Sequence, residues 1–209
     1  MTFQFPKALV LGLAIASVGG GQVFSGDSAV APSPMVFVSP QVFVNPSIAA
    51  APAPGIAGAT AITDSVVRSL NDAALFCGGI SETAYAIDCL SERLDNAARQ
   101  MPETGEFAEA RAALLKASRD LNQLAVANAA PNLPRATARS SKPGGASTKR
   151  RLVPVDPAKL PEVSLQAADI IATTELILLR SAENSVARQS HYTRIAEAIG
   201  TNKLLLRSL

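Results

Sequence analysis

Along the middle of the chain, apolar residues recur in alternating steps of four and three. Thr83, Ile87, Leu90, Leu94, Ala97 and Met101 form one such series, and Phe107, Ala110, Leu114, Ala117, Leu121 and Leu124 form a second. Such steps place side chains on one face of an α-helix. Between the two series Pro102 to Gly105 interrupts the pattern, so an antiparallel helical hairpin with a coiled-coil-like seam is predicted. Charge placement agrees: Glu103, Glu106 and Glu109 open the second arm while Lys116 and Arg119 lie later in it, as the helix dipole favours.

Upstream, Ile62, Val66, Leu70, Ala73 and Ala74 share a face and predict a helix over 62–76, stopped by Gly78 and Gly79. Ser81 offers an N-cap to the first hairpin helix, with Ile80 and Tyr85 spaced for a hydrophobic staple. Downstream, residues 162–199 predict one long helix, with Gly200 as its stop and 201–209 as a short helical tail. The first half, VSLQAADIIATTELILL, is apolar nearly all round, which asks for burial on several sides. Asp169 and Glu175 argue against a membrane span there.

Proline placement sharpens this plan. Of 14 prolines, six fall between Pro32 and Pro54 and six between Pro131 and Pro161, leaving two proline-poor blocks for regular structure. Aromatic residues make up 4% of the chain and tryptophan is absent, which suits close-packed, alanine-rich helices better than an aromatic-rich sandwich. The expected fold is all-α, a three- to four-helix bundle containing the hairpin and flanked by disordered segments. The expected organisation is a signal peptide at 1–25, an extended arm at 26–60, the helical block at 61–130, a basic disordered loop at 131–161, and the long helix and tail at 162–209.

The start of the chain has the n-, h- and c-region order of a secretory signal: Lys7, then the apolar residues 8–18 (ALVLGLAIASV), then small residues near Ser25. The apolar run is short for a bilayer, which needs about 20 residues. Export to the periplasm or the medium is therefore expected, with no transmembrane span in the mature chain. The arm that follows contains a tandem repeat, MVFVSP at 35–40 and QVFVNP at 41–46, whose β-branched residues and closing prolines favour extended backbone. Phe37 and Phe43 repeat at the same place in each copy and are candidate partner-docking anchors, with a plain spacer as the simpler alternative.

Net charge is +2, but unevenly distributed: residues 61–130 carry ten acids and six bases, and 131–161 carry one acid and seven bases. Pro, Gly, Ser and charge dominate 131–161, so the composition predicts a mobile linker. Lys149, Arg150 and Arg151 there are candidate anion contacts, or a solvated stretch leaning on the acidic hairpin. No aromatic residue is interleaved for base stacking, so nucleic acid is disfavoured as a partner. An anionic envelope polymer or another envelope protein fits better.

Two cysteines, Cys77 and Cys89, suggest a disulfide in an exported chain, and their spacing is not CxxC. One geometric difficulty attends the pair: a helix starting at Ser81 would carry Cys89 about 12 Å from its start. His191 is the single histidine. With Arg188 and Arg194 one turn away on either side it forms a candidate anion-contacting face, and no metal-ligand set or cofactor motif accompanies it. Asp88, Glu92 and Asp95 share a helix side, where acids are ordinarily solvated. No nucleophile, P-loop or dinucleotide motif is present. A non-enzymatic binding or scaffold module of the cell envelope is expected, with two alternatives. One is a small-ligand-binding protein or enzyme using Asp169, Thr173, Thr174 and Glu175 between helices; the other is a homo-oligomer joined through the apolar seams.

Overall fold

The computed structural model describes residues 54–140, 145–183 and 185–209. The signal segment, the repeat arm and its Phe37 and Phe43 lie outside the described residues. Within them the fold is all-helical: α1 (Pro54–Gly78), α2 (Ala86–Ala98), α3 (Ala108–Ala127), α4 (Leu160–Ala182) and α5 (Val186–Arg207), with single 3-10 turns leading into α2 and α3. Each helix packs on the next, and α5 closes on α1 to complete a ring.

Cross-helix contacts fix the directions. Ser65, midway along α1, bonds Gln100 just past the end of α2, and Cys77 at the end of α1 meets Cys89 in the first turn of α2, so α1 and α2 run antiparallel. Arg111 reaches the Met101 carbonyl and Asn122 reaches Asp88, which makes α2 and α3 the antiparallel hairpin. Along α1 and α5, Thr63 meets His191 and the Leu70 carbonyl accepts from Asn202, so the closing pair is parallel. The apolar periodicity explains the packing: Val66, Leu70, Ala73 and Cys77 of α1, Ile87, Leu90, Leu94 and Ala97 of α2, and Ala110, Leu114, Ala117 and Leu121 of α3 are all buried. Gly105, with φ +79°, turns the chain between α2 and α3 in a conformation that favours glycine.

Several local expectations shift. α1 begins at Pro54, not Ile62, since proline is well suited to a first helical position. Ser81 does not cap α2; Thr83–Tyr85 form a 3-10 turn and the α-helix opens at Ala86 without a side-chain cap bond. Cys89 therefore sits in the first turn of α2, beside the end of α1, and the 12 Å difficulty disappears. The expected single helix over 162–199 is two helices, broken at 183–185, and Gly200 lies inside α5. Asn184 and Ser185 are residue types that favour caps over helix interiors, and the break lets α4 and α5 bury faces against each other. α4 is consequently not buried all round: Leu165 is 59% exposed.

The largest correction concerns 131–161. Apart from residues 141–144, which are outside the described set, this segment is not a disordered loop. It forms an irregular antiparallel ribbon bridged at Ala129–Val155, Ala136–Leu152 and Arg139–Ser147. Leu152, Val153 and Val155 are buried, and the Val155 amide donates to the Ala84 carbonyl, holding the ribbon against the 3-10 turn that leads into α2. No described helix is long and apolar enough to cross a membrane.

Candidate functional site

The ribbon is anchored on two carboxylates of α2, one helical turn apart. Asp88 is fully buried, and its oxygens accept four side-chain or amide bonds: Arg150 Nη1 and Nη2 at 2.5 and 2.7 Å, Asn122 Nδ2 at 2.8 Å and the Val153 amide at 2.7 Å. These satisfy both oxygens, so the charge is compensated where water cannot reach it. Glu92, 5% exposed, accepts the Lys149 amide at 2.7 Å. The ribbon bulges at this point. Between the Ala136–Leu152 and Ala138–Thr148 hydrogen-bond pairs, one strand advances two residues and the other four, which takes 149–151 out of the ladder and toward α2.

Beside this anchor a cleft of about 1010 Å³ opens between α2, α3 and the ribbon. Its lining includes Arg119, Arg135, Lys149, Arg150 and Arg151 against the carboxylates Glu92 and Asp95. Asp95 is paired with Arg99 at the end of its own helix, and Arg151 donates to the Arg135 backbone carbonyl. The side chains of Arg119 and Arg135 bond to nothing among the described residues. The Arg150 pKa is raised above its ordinary value, chiefly by its hydrogen bonds to Asp88. Arg150 is thus a structural cation, and the unsatisfied positive charge belongs to its neighbours.

The predicted basic triplet is brought together here, with one member spent on the anchor. Cys77 and Cys89 are joined, with Cα atoms 5.8 Å apart. Arg188, His191 and Arg194 do not form a shared site: Arg188 faces Glu109, Arg194 pairs with Asp64, and His191 meets Thr63 at 2.8 Å. The Thr63 hydroxyl proton goes to the Ala59 carbonyl, so Nδ1 of His191 is the donor in that contact. Its ring also stands 5.7 Å from Phe107, which makes it a packing residue. Asp169 and Thr173 are exposed, Thr174 bonds its own helix at Ile170, and Glu175 pairs with Lys203, so no polar site converges between the helices from these four. No metal-ligating cluster occurs among the described residues.

Asp88, Glu92 and Asn122 were missed as site residues. The available signal was Asp88 beside Cys89, on a part of α2 that two neighbours cover. No protein-family model, curated protein or solved structure matches the chain.

Proposed function

We propose that the chain is an exported, non-enzymatic binding or scaffold module of the cell envelope, whose cationic cleft holds a segment of an anionic envelope polymer. The observation that carries this is the charge balance of the cleft: Arg119 and Arg135 offer unengaged guanidinium groups, and with Lys149 and Arg151 they outnumber the lining carboxylates Glu92 and Asp95, of which Asp95 is paired with Arg99. A concave surface with an excess of one sign raises the local concentration of the opposite charge. The disulfide suits an oxidising compartment, and the residue order of 1–25 supports delivery to one.

Isothermal titration of the purified protein with poly(glycerol phosphate) tests the cleft. Binding should weaken with added salt, and by about tenfold when Arg119→Gln and Arg135→Gln are combined. Both residues are exposed, so the fold should survive. Binding that ignores salt and both substitutions, or no binding, refutes the cleft. Export has its own test: a reporter fused after Ala53 should cross the membrane and fail to do so with Leu11→Arg and Leu13→Arg.

One observation favours a homo-oligomer as a second possibility. Leu165, Leu176 and Leu179 are 59%, 45% and 38% exposed along one face of α4. Light scattering of the protein and of Leu176→Lys distinguishes this, since only a dimerising face would lose mass on substitution.

A further inference from the structure

A second groove, of about 1160 Å³, lies between α1, α2 and the ribbon, lined by residues 136–140 of one strand and by Gly145, Ala146, Lys149 and Leu152 of the other. The ribbon's two edges differ. On the inner edge, the amides of Lys149 and Val153 donate to Glu92 and Asp88, so α2 stands in for a neighbouring strand. On the outer edge no such cover exists. Ala136, Ala138 and Ser140 use their backbone groups toward the partner strand, which turns those of Thr137 and Arg139 the opposite way, to the ribbon's outer edge beside the groove that both residues line. The N–H and C=O groups of Thr137 and Arg139 bond to nothing among the described residues.

Arg93 lines the same groove. Its guanidinium lies 3.9 Å over the Phe76 ring, and it makes no ion pair and no hydrogen bond with a described residue. Its Nε and Nη2 are shielded from solvent without an acceptor. A cation held flat on an aromatic ring keeps a fixed direction for an incoming acceptor. The groove walls add apolar surface from Leu75, Phe76, Ile80, Ala136 and Ala138.

We infer that this groove binds an extended polypeptide segment carrying an acidic residue. The segment's backbone pairs with the free edge at Thr137 and Arg139, alternate side chains meet the Phe76 and Ile80 wall, and its carboxylate pairs with Arg93. Open-edge pairing supplies affinity and the wall and guanidinium supply selection. This groove adjoins the cationic cleft and shares Asn96 and Lys149 with it, but Arg119 and Arg135 line the cleft alone and Phe76, Arg93 and Thr137 the groove alone, so the protein would join a protein partner to an anionic polymer.

Displayed random nine-residue peptides, selected on the full chain, provide the probe. Enriched sequences should alternate apolar residues around an aspartate or glutamate. Fluorescence anisotropy of an enriched peptide should then show about a tenfold weaker Kd with Arg93→Gln. Thr137→Pro should weaken it comparably, because it removes an amide that the ribbon's own ladder does not use. Methylating alternate peptide nitrogens should abolish binding, whereas Arg119→Gln with Arg135→Gln should leave it unchanged. Failure to enrich any sequence overturns the inference. So does an enriched peptide indifferent to Arg93→Gln, Thr137→Pro and methylation.

Discussion

Replacing Asp88 with alanine should be among the most damaging single changes in the fold. The substitution removes the acceptor for four hydrogen bonds at once, from Arg150, Asn122 and the Val153 amide. Breaking a buried ion pair from one side costs about 3–5 kcal/mol when the remaining charge stays buried. Here it does not stay buried, because the Arg150 side chain is 38% exposed and can turn to water. The Val153 amide has no such escape and contributes about 1–3 kcal/mol as an unsatisfied donor. Together these give a loss of about 2–4 kcal/mol, with Asp88→Asn losing less because an amide oxygen still accepts from Val153. Urea unfolding followed by far-UV circular dichroism reads the global loss. Native-state hydrogen exchange at the Lys149 and Val153 amides reads whether the ribbon detaches first. An unfolding free energy within about 0.5 kcal/mol of the parent, together with unchanged protection at Val153, would show that the ribbon is not held by this carboxylate.

Replacing both Cys77 and Cys89 with alanine should cost about 3 kcal/mol, as expected for opening a loop of about 13 residues, read as a lower urea midpoint. Unreduced denatured protein should expose no free thiol to alkylation. Burial raises the pKa of Tyr192 above its ordinary value of 10.0. The unfolded phenol ionises near that value and the folded one at higher pH, so this contribution is intact below about pH 10 and is lost as pH rises through the folded pKa. Urea midpoints across this range should fall less steeply for Tyr192→Phe than for the parent; equal slopes would contradict the shift. Gly105→Ala should lose about 1 kcal/mol through its positive φ, with helix content unchanged by circular dichroism.

The α2–α3 hairpin was legible because its packing is written as spacing. The seam residues Ile87, Leu90, Leu94, Phe107, Leu114 and Leu121 are buried where the pattern put them, while Thr83 falls in the 3-10 turn that precedes α2, out of the α-helical phase of the seam, and is exposed. The α4–α5 break was not legible. Neither proline nor glycine marks it, and the apolar run before it looked uniformly buried, although Leu165 and Leu176 face outward. Periodicity reports which faces could be buried, and tertiary packing decides how many of them are.

The ribbon was misjudged for a different reason. Composition estimates order from apolar area, and 131–161 offers little beyond Leu152, Val153 and Val155. Much of what holds it is polar, and depends on a length match that no residue-by-residue count contains. Asp88 and Glu92 are four residues apart on a helix, a rise of about 6 Å. Their amide donors, Val153 and Lys149, are also four residues apart, but in extended chain that would span about 13 Å. Side-chain reach takes up some of the difference. The bulge between the Ala136–Leu152 and Ala138–Thr148 pairs takes up more, by drawing four residues of one strand into the length of two on the other. That same shortening pushes Arg150 out of the ladder and onto Asp88, leaving Lys149 and Arg151 at the cleft. The basic triplet therefore serves the fold through its middle residue, while Lys149 bonds Asn96 and Arg151 bonds the Arg135 carbonyl at the cleft, a division set by the register of the ribbon and invisible in the charges alone.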